Sequence, residues 1–337
     1  MEEFKKRFVL PVIFCFIAIG LGIQCPEAFG AEITLRYAAN LPIGHHCTRG
    51  QELYAKLIME KTNNRVKVEV YPAGQLFSDK DLVKAIPSGA VDMAFVLGVQ
   101  WSGLVPAQMI TELPLFYRNL DHAHRMLDSK VGEIIKKENE EKGAKLLYFM
   151  DYGAVEIASK FPIRKLEDFK GRRMGAVGEV ISEAERAWGA APAFMGAADI
   201  YLALQRGTIE GTMAGIRNFW DRKYYEVAKH ITMVDFLYGF MVVLMNKNKW
   251  DTLPPDIQKI VLETAQEAQA WGRKEAQKAD AEALELLKSK GMEIYRIPEE
   301  ERERWAKPVN RVCEEIFLKR VGEEKGRQLL QLAESVR

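Results

Sequence analysis

Few side chains in this 337-residue sequence are spaced for covalent chemistry. Ser88, Ser102, Ser159 and Ser182 lie in no Gly-x-Ser-x-Gly setting, the strand-to-helix elbow that exposes a nucleophile. Two carboxylates could in principle cleave a glycoside. With 47 Asp and Glu residues spread along the chain, however, counting them selects no pair. His122 and His124 form a His-x-His pattern. At a helix start such side chains diverge, and no neighbouring Cys or carboxylate set completes a zinc site. Neither a metal nor a cofactor is expected.

Residues suited to binding are easier to find. An organic anion in a water-poor cleft needs a fixed counter-charge, and arginine supplies a bidentate one that stays ionised. Arg173 shares a strand face with Gly175; Arg217 follows the segment TMAGI and could reach a cleft from another wall. The alternatives are a structural role for Arg173 and an exposed loop charge for Arg217. His45 and His46, in the first strand-to-helix loop, could donate to a ligand oxygen or simply be solvated. Tyr37, Trp101, Tyr152, Trp220 and Tyr238 stand where an apolar cleft would use aromatic walls. Each taken singly is better explained by core packing. Glu179, Glu183 and Glu185 suit a helix N-terminus, although Glu179, near Gly175, leaves room for a ligand bearing a cation or several hydroxyls.

The elements that must position these residues alternate strand and helix. ITLRYAANL reads as a strand, a helix follows from about Arg49 to Thr62, and VKVEVYPAG alternates Val66, Val68 and Val70 as a second strand. DKDLVKAIPSGAVDMAFV adds a short helix and a buried strand. The order β-α-β-α-β implies a largely parallel sheet covered by helices. A second set starts near KLLYFMDYG and runs through GRRMGAVG, AAPAFM and ADIYLALQRG. FMVVLMN, residues 240–246, would then return the chain to the first lobe. From Pro255 to about Lys290 the pattern is one continuous helix capped by Gly291, with a break near Gly272 as the alternative.

The N-terminus has a basic patch, Lys5-Lys6-Arg7, an apolar run from Phe8 to Ile23, and Ala28 and Gly30 in a small-x-small cleavage pattern. This reads as a signal peptide over residues 1–30, cut near Gly30. A lipoprotein would need a small residue before its cysteine, and Gln24 precedes Cys25. The segment carries three positive and three negative charges, so the mature chain keeps the net charge of +1. A near-neutral chain has no electrostatic footprint for nucleic acid. Cys47 and Cys313 then remain, and a chain of this length has core enough to leave both as thiols.

Two segments carry family identity. AAPAFMGAADIYLALQRGTIEG, with Tyr201, Ala203, Leu204, Gln205, Gly207, Glu210 and Gly211, resembles the TRAP-transporter solute-binding proteins of the DctP type. VYPAGQLFSDKDLVKAIPSGAVDMAF, through Pro72, Gly74, Gln75, Leu76, Gly89 and Asp92, resembles their first-lobe motif. ELPLFYRNLDHAHRML, FPIRKLEDFKGRRM and NKNKWDTLPPDIQKIV extend the likeness over nearly the whole mature chain.

The resemblance implies an α/β, two-lobed periplasmic binding protein of type II-like form, with a hinge and a long helix shared between lobes. Residues 31–152 and 240–285 would form lobe I, and residues 153–239 and 286–337 lobe II. It implies a monomer that performs no chemistry, captures a small-molecule solute in the periplasm and hands it to TRAP-type permease subunits. A sensory binding protein would share the same fold and cleft. The family's usual anion clamp is an arginine ending a Gly-x-Lys-x-Arg strand. Aligning Gly171 there places Arg173 at the lysine and Gly175 at the clamp, while Met213 and Ala214 occupy the usual Glu-Asn pair. The resemblance thus implies an organic acid bound without the usual arginine.

Overall fold

The alternation of Val66, Val68 and Val70 builds β2 (Val66–Tyr71), which pairs in parallel with β1 (Ile33–Ala38) across α1 (His46–Lys61). The computed structural model describes residues 33–337, so the expected signal peptide lies outside the described residues. Helix α1 begins three residues before Arg49 because His45 caps it, its Nδ1 accepting from the Cys47 amide at 3.2 Å. The chain continues through α2 (Asp79–Ser88), β3 (Met93–Leu97), α3 (Gly98–Trp101), a 3₁₀ turn at Pro106–Glu112, α4 (Leu120–Leu127) and α5 (Lys130–Glu141). Ser78, Asn119 and Ser129 cap α2, α4 and α5 by accepting backbone N–H groups left free at the helix starts.

Next come β4 (Ala144–Ser159), β5 (Arg173–Ala176), α6 (Glu179–Ala187), β6 (Ala191–Phe194), α7 (Ile200–Arg206), β7 (Gly211–Gly215) and α8 (Ile216–Asp221). The chain ends with β8 (His230–Asn246), α9 (Lys247–Thr252), α10 (Pro255–Ser289), β9 (Glu293–Arg296), α11 (Glu299–Val321) and α12 (Glu323–Glu334).

The sheet runs β2-β1-β3-β8-β4-β7-β5-β6, with β9 also on β8. Its two long members, β4 and β8, are antiparallel and run through both lobes. Strand β3 pairs with the Met241–Met245 end of β8, while β7 pairs with the Val155–Ser159 end of β4. Both strands are therefore longer than the segments KLLYFMDYG and FMVVLMN suggest. Their pairing slips between Asp151 and Gly153 and again between Val155 and Ile157. At the crossing Gly153 faces Gly239 with φ +113, a conformation that favours glycine.

Helix α10 is continuous through Gly272 and, at 35 residues, about 52 Å long. Its buried face is mostly small: Ala265, Ala268, Gly272, Ala276, Ala279 and Ala283. That stripe lets the helix lie close on α1, on β4 and on α8, tying both lobes together. Gly272 sits against the Met150 side chain, leaving no room for a Cβ. Gly291, at φ +80, follows the last turn and stops the helix. Helix α11 packs on α6 and on the 106–112 turn, and α12 packs on α5.

Candidate functional site

A cavity of about 770 Å³, mouth included, opens where the lobes meet β4 and β8. The first lobe supplies Leu97, Gly98, Val99, Thr111 and Glu112, and the hinge strands supply Tyr152, Val155, Leu237, Gly239 and Phe240. The second lobe contributes Val177, Val180, Ile181, Ile200, Thr212 and Met213, together with Asn218, Arg222 and Tyr224 from α8 and the turn after it. Val99 and Gly178 bring the lobes into contact: a Cβ built on Gly178 would lie 2.5 Å from the Val99 Cγ2. Gly178 has φ +112, so close approach and backbone conformation both require glycine there.

Fourteen of the twenty-one lining residues are apolar or glycine, which makes the few polar groups decisive. Arg222 closes the C-terminus of α8, and its Nε is buried with no hydrogen-bond partner among the described residues. The Asn218 Oδ1 and the Glu112 Oε1 are likewise buried and unpartnered. Burial pushes the Glu112 carboxyl up to about 8, although a hydrogen bond from Ser102 opposes that rise. Burial also raises the Tyr152 phenol to about 12, so it stays neutral.

Tyr152 divides this cavity from a second polar region. Its ring lies against Gly215 and Gly239, where a Cβ would come within 2.8 and 2.7 Å, and its hydroxyl accepts a hydrogen bond from Asn218 Nδ2. Behind it His45 stacks at 5.7 Å, with His46 stacked on His45 at 4.5 Å. Both histidines are fully buried, so they are neither solvated nor on the cavity wall. Burial, reinforced by His46, Arg217 and Arg222, holds the His45 imidazole well below histidine's usual value, so it is neutral.

His45, His46 and Cys47 bring possible ligand atoms within 4.8 Å of one another. The His46 Nε2 and the Cys47 thiol are nevertheless both committed to the Asp151 carbonyl, at 2.9 and 3.3 Å. His124 Nε2 meets the Asp151 carboxylate at 2.7 Å, whereas His122 Nε2 meets the Ala333 carbonyl at 3.0 Å, so the two rings of His-x-His serve different elements. Cys47 and Cys313 are both buried free thiols.

Of the residues singled out from the sequence, the cavity gathers Tyr152, Met213 and Ala214. Tyr37 is in the core, edge-on to Tyr54 and Phe95. Trp101 is also fully buried, and its indole donates to Asn139 Oδ1 at 2.7 Å. Trp220 stacks on Tyr225, and Tyr238 is buried away from the cavity wall. Arg173 is on the surface, donating to the carbonyls of Gly207 and Thr208 and pairing with Glu210. Arg217 is neither a cavity residue nor an exposed loop charge: it forms a two-pronged ion pair with Asp221 at 2.9 and 3.1 Å. The space beside Gly175 is filled by Ile200 and Ile209, whose Cδ1 atoms lie 2.8 and 2.6 Å from a Cβ built there. Arg222, Asn218 and Glu112 escaped the sequence reading. The one available signal was a second arginine one helical turn and a residue beyond Arg217.

Two lobes joined by paired crossing strands, with an apolar cavity between them and a half-buried arginine on its wall, define a receptor that encloses a small molecule. The chain belongs to the bacterial extracellular solute-binding proteins of family 7, whose family model matches residues 37–320. It is 29% identical to the C4-dicarboxylate-binding periplasmic protein DctP of Rhodobacter capsulatus, covering 94% of this chain and 96% of that one. Identity to the 2,3-diketo-L-gulonate-binding periplasmic protein YiaO of Escherichia coli is 28%, over 86% of this chain and 89% of that one. Among solved structures, a TRAP periplasmic solute-binding protein from Sulfurospirillum deleyianum with bound succinate superposes with TM-score 0.83 at 29% identity, covering 91% of this chain and all of that one. A TRAP protein from Desulfovibrio salexigens with bound orotic acid shares the fold, with TM-score 0.85 at 24% identity, covering 90% and 98%.

Proposed function

We propose that this protein captures an organic acid in the cavity between its lobes and delivers it to a TRAP-type permease, with Arg222 as the counter-charge. The supporting observation is the Arg222 Nε, buried on the cavity wall without a partner. An arginine side chain kept free in a closing cleft is costly unless something anionic joins it. The relatives' ligands, succinate and orotic acid among them, are acids. The protein would act as a monomer in the periplasm after removal of residues 1–30, and would release its ligand unchanged. The lobes would comprise residues 31–152 with 240–285, and 153–239 with 286–322, hinged at Gly153 and Gly239; α12, which packs on α5, would move with the first lobe. A thermal-shift screen of organic acids tests this reading, because a bound ligand stabilises the folded state by mass action. Acids should raise the melting temperature of the natural protein but not that of Arg222→Gln. Equal shifts in both would sink the assignment of Arg222.

A further inference from the structure

Arg222 is the single cation among the described residues that line the cavity, and Glu112 is the single carboxyl group among them. The two groups stand on different elements, Arg222 directly after α8 and Glu112 at the end of the 106–112 turn.

Apart from the Asn218 Oδ1, an acceptor, and the Tyr224 hydroxyl, the remaining polar groups are engaged within the protein. Thr111 donates to the Gln108 carbonyl at 2.9 Å, and Thr212 to the Gly175 carbonyl at 2.8 Å. The Tyr152 hydroxyl is held by Asn218. A polyhydroxylated acid would find few partners for its hydroxyls, and unmatched buried hydroxyls cost binding energy. A dicarboxylate would place its second charge against Val99, Val180, Ile181 or Phe240, or beside the Glu112 carboxyl; neither neutralises it.

We infer that the ligand of this cavity is a monocarboxylate with an apolar body, its carboxylate on Arg222 and at most one hydrogen-bonding group at its other end, meeting Glu112. This rests on the cavity being the organic-acid site proposed above.

Isothermal titration of the full mature chain with 4-methylpentanoate, 3-phenylpropanoate, succinate and D-galacturonate tests it. At least one of the two apolar monocarboxylates should bind ten times more tightly than either of the others. Arg222→Gln should weaken that binding a hundredfold or more. Arg222→Lys, which keeps the charge but not the fork, should weaken it about tenfold with an unchanged melting temperature, separating lost recognition from lost folding. Tighter binding of succinate or D-galacturonate that still depends on Arg222 would overturn the ligand class and leave the organic-acid reading standing. Binding of none of the four, or binding indifferent to Arg222→Gln, would overturn both.

Discussion

Arg217 and Arg222 stand five residues apart at the two ends of α8, and the protein uses them in opposite ways. Arg217 is answered by Asp221, which meets its charge with two short contacts. Arg222 faces the cavity with its Nε unanswered. The same contrast holds across the Tyr152 ring. On the hinge side, Asp151 gathers His46, Cys47 and His124, and the atoms left unpaired there, Asp151 Oδ1, His45 Nε2 and His46 Nδ1, lie off the cavity wall; on the cavity side, Asn218, Glu112 and Arg222 each keep a buried atom in reserve on the wall itself. A buried polar group whose partners are internal holds the fold, whereas one that faces a void without a partner awaits a ligand.

Exchanging the two arginines gives the largest expected difference. Arg222→Gln should weaken carboxylate binding about a hundredfold, or roughly 3 kcal/mol, the scale for truncating one partner of a desolvated charge pair. Arg217→Gln should alter it less than about threefold while lowering the melting temperature. Equal losses in calorimetric titration would erase the contrast. On the hinge side, His124→Ala leaves the buried Asp151 carboxylate without its ring partner and should cost roughly 1–3 kcal/mol of stability, with affinity unchanged; urea denaturation read by fluorescence measures the first quantity.

Gly178→Val attacks the contact that closes the lobes. It meets Val99 and places a branched residue at φ +112. Affinity should fall about tenfold, or about 1.4 kcal/mol, and small-angle scattering with ligand should show a more open molecule. A compact, tightly binding variant would show that closure does not use this contact.

The smallest expected effect is a pH slope. Burial lifts the Asp280 carboxyl to about 7, although backbone N–H groups of Ala154 and Arg217 and the Arg217 charge pull it back. A raised acid favours the protonated folded state. Its contribution is complete below the unfolded carboxylate range and is lost as pH climbs through about 7. Between pH 5 and pH 8 the natural protein should therefore lose more thermal stability than Asp280→Asn does, and parallel melting curves would refute the assignment.

Much of the architecture was legible locally. Val66, Val68 and Val70 announce a strand by their period of two, and the helix from Pro255 to Gly291 by its caps and small-residue stripe. The length of β4 and β8 was less legible, because residues after Gly153 pair with partners distant in sequence and buried on both faces. His45 was misread for a related reason: local sequence shows two loop histidines, but only the packed hinge puts Tyr152 over them.

By itself the sequence determined the α/β order, the helical pattern from Pro255 to about Lys290 and the family, because these follow from periodicity, capping and motifs confined to short stretches of chain; that the helix runs unbroken through Gly272 was decided by packing on Met150. Tertiary structure alone decided which arginine faces the ligand. A guanidinium's role depends on what surrounds it in three dimensions, and Asp221 satisfies Arg217 while the meeting of two lobes leaves Arg222 over a cavity.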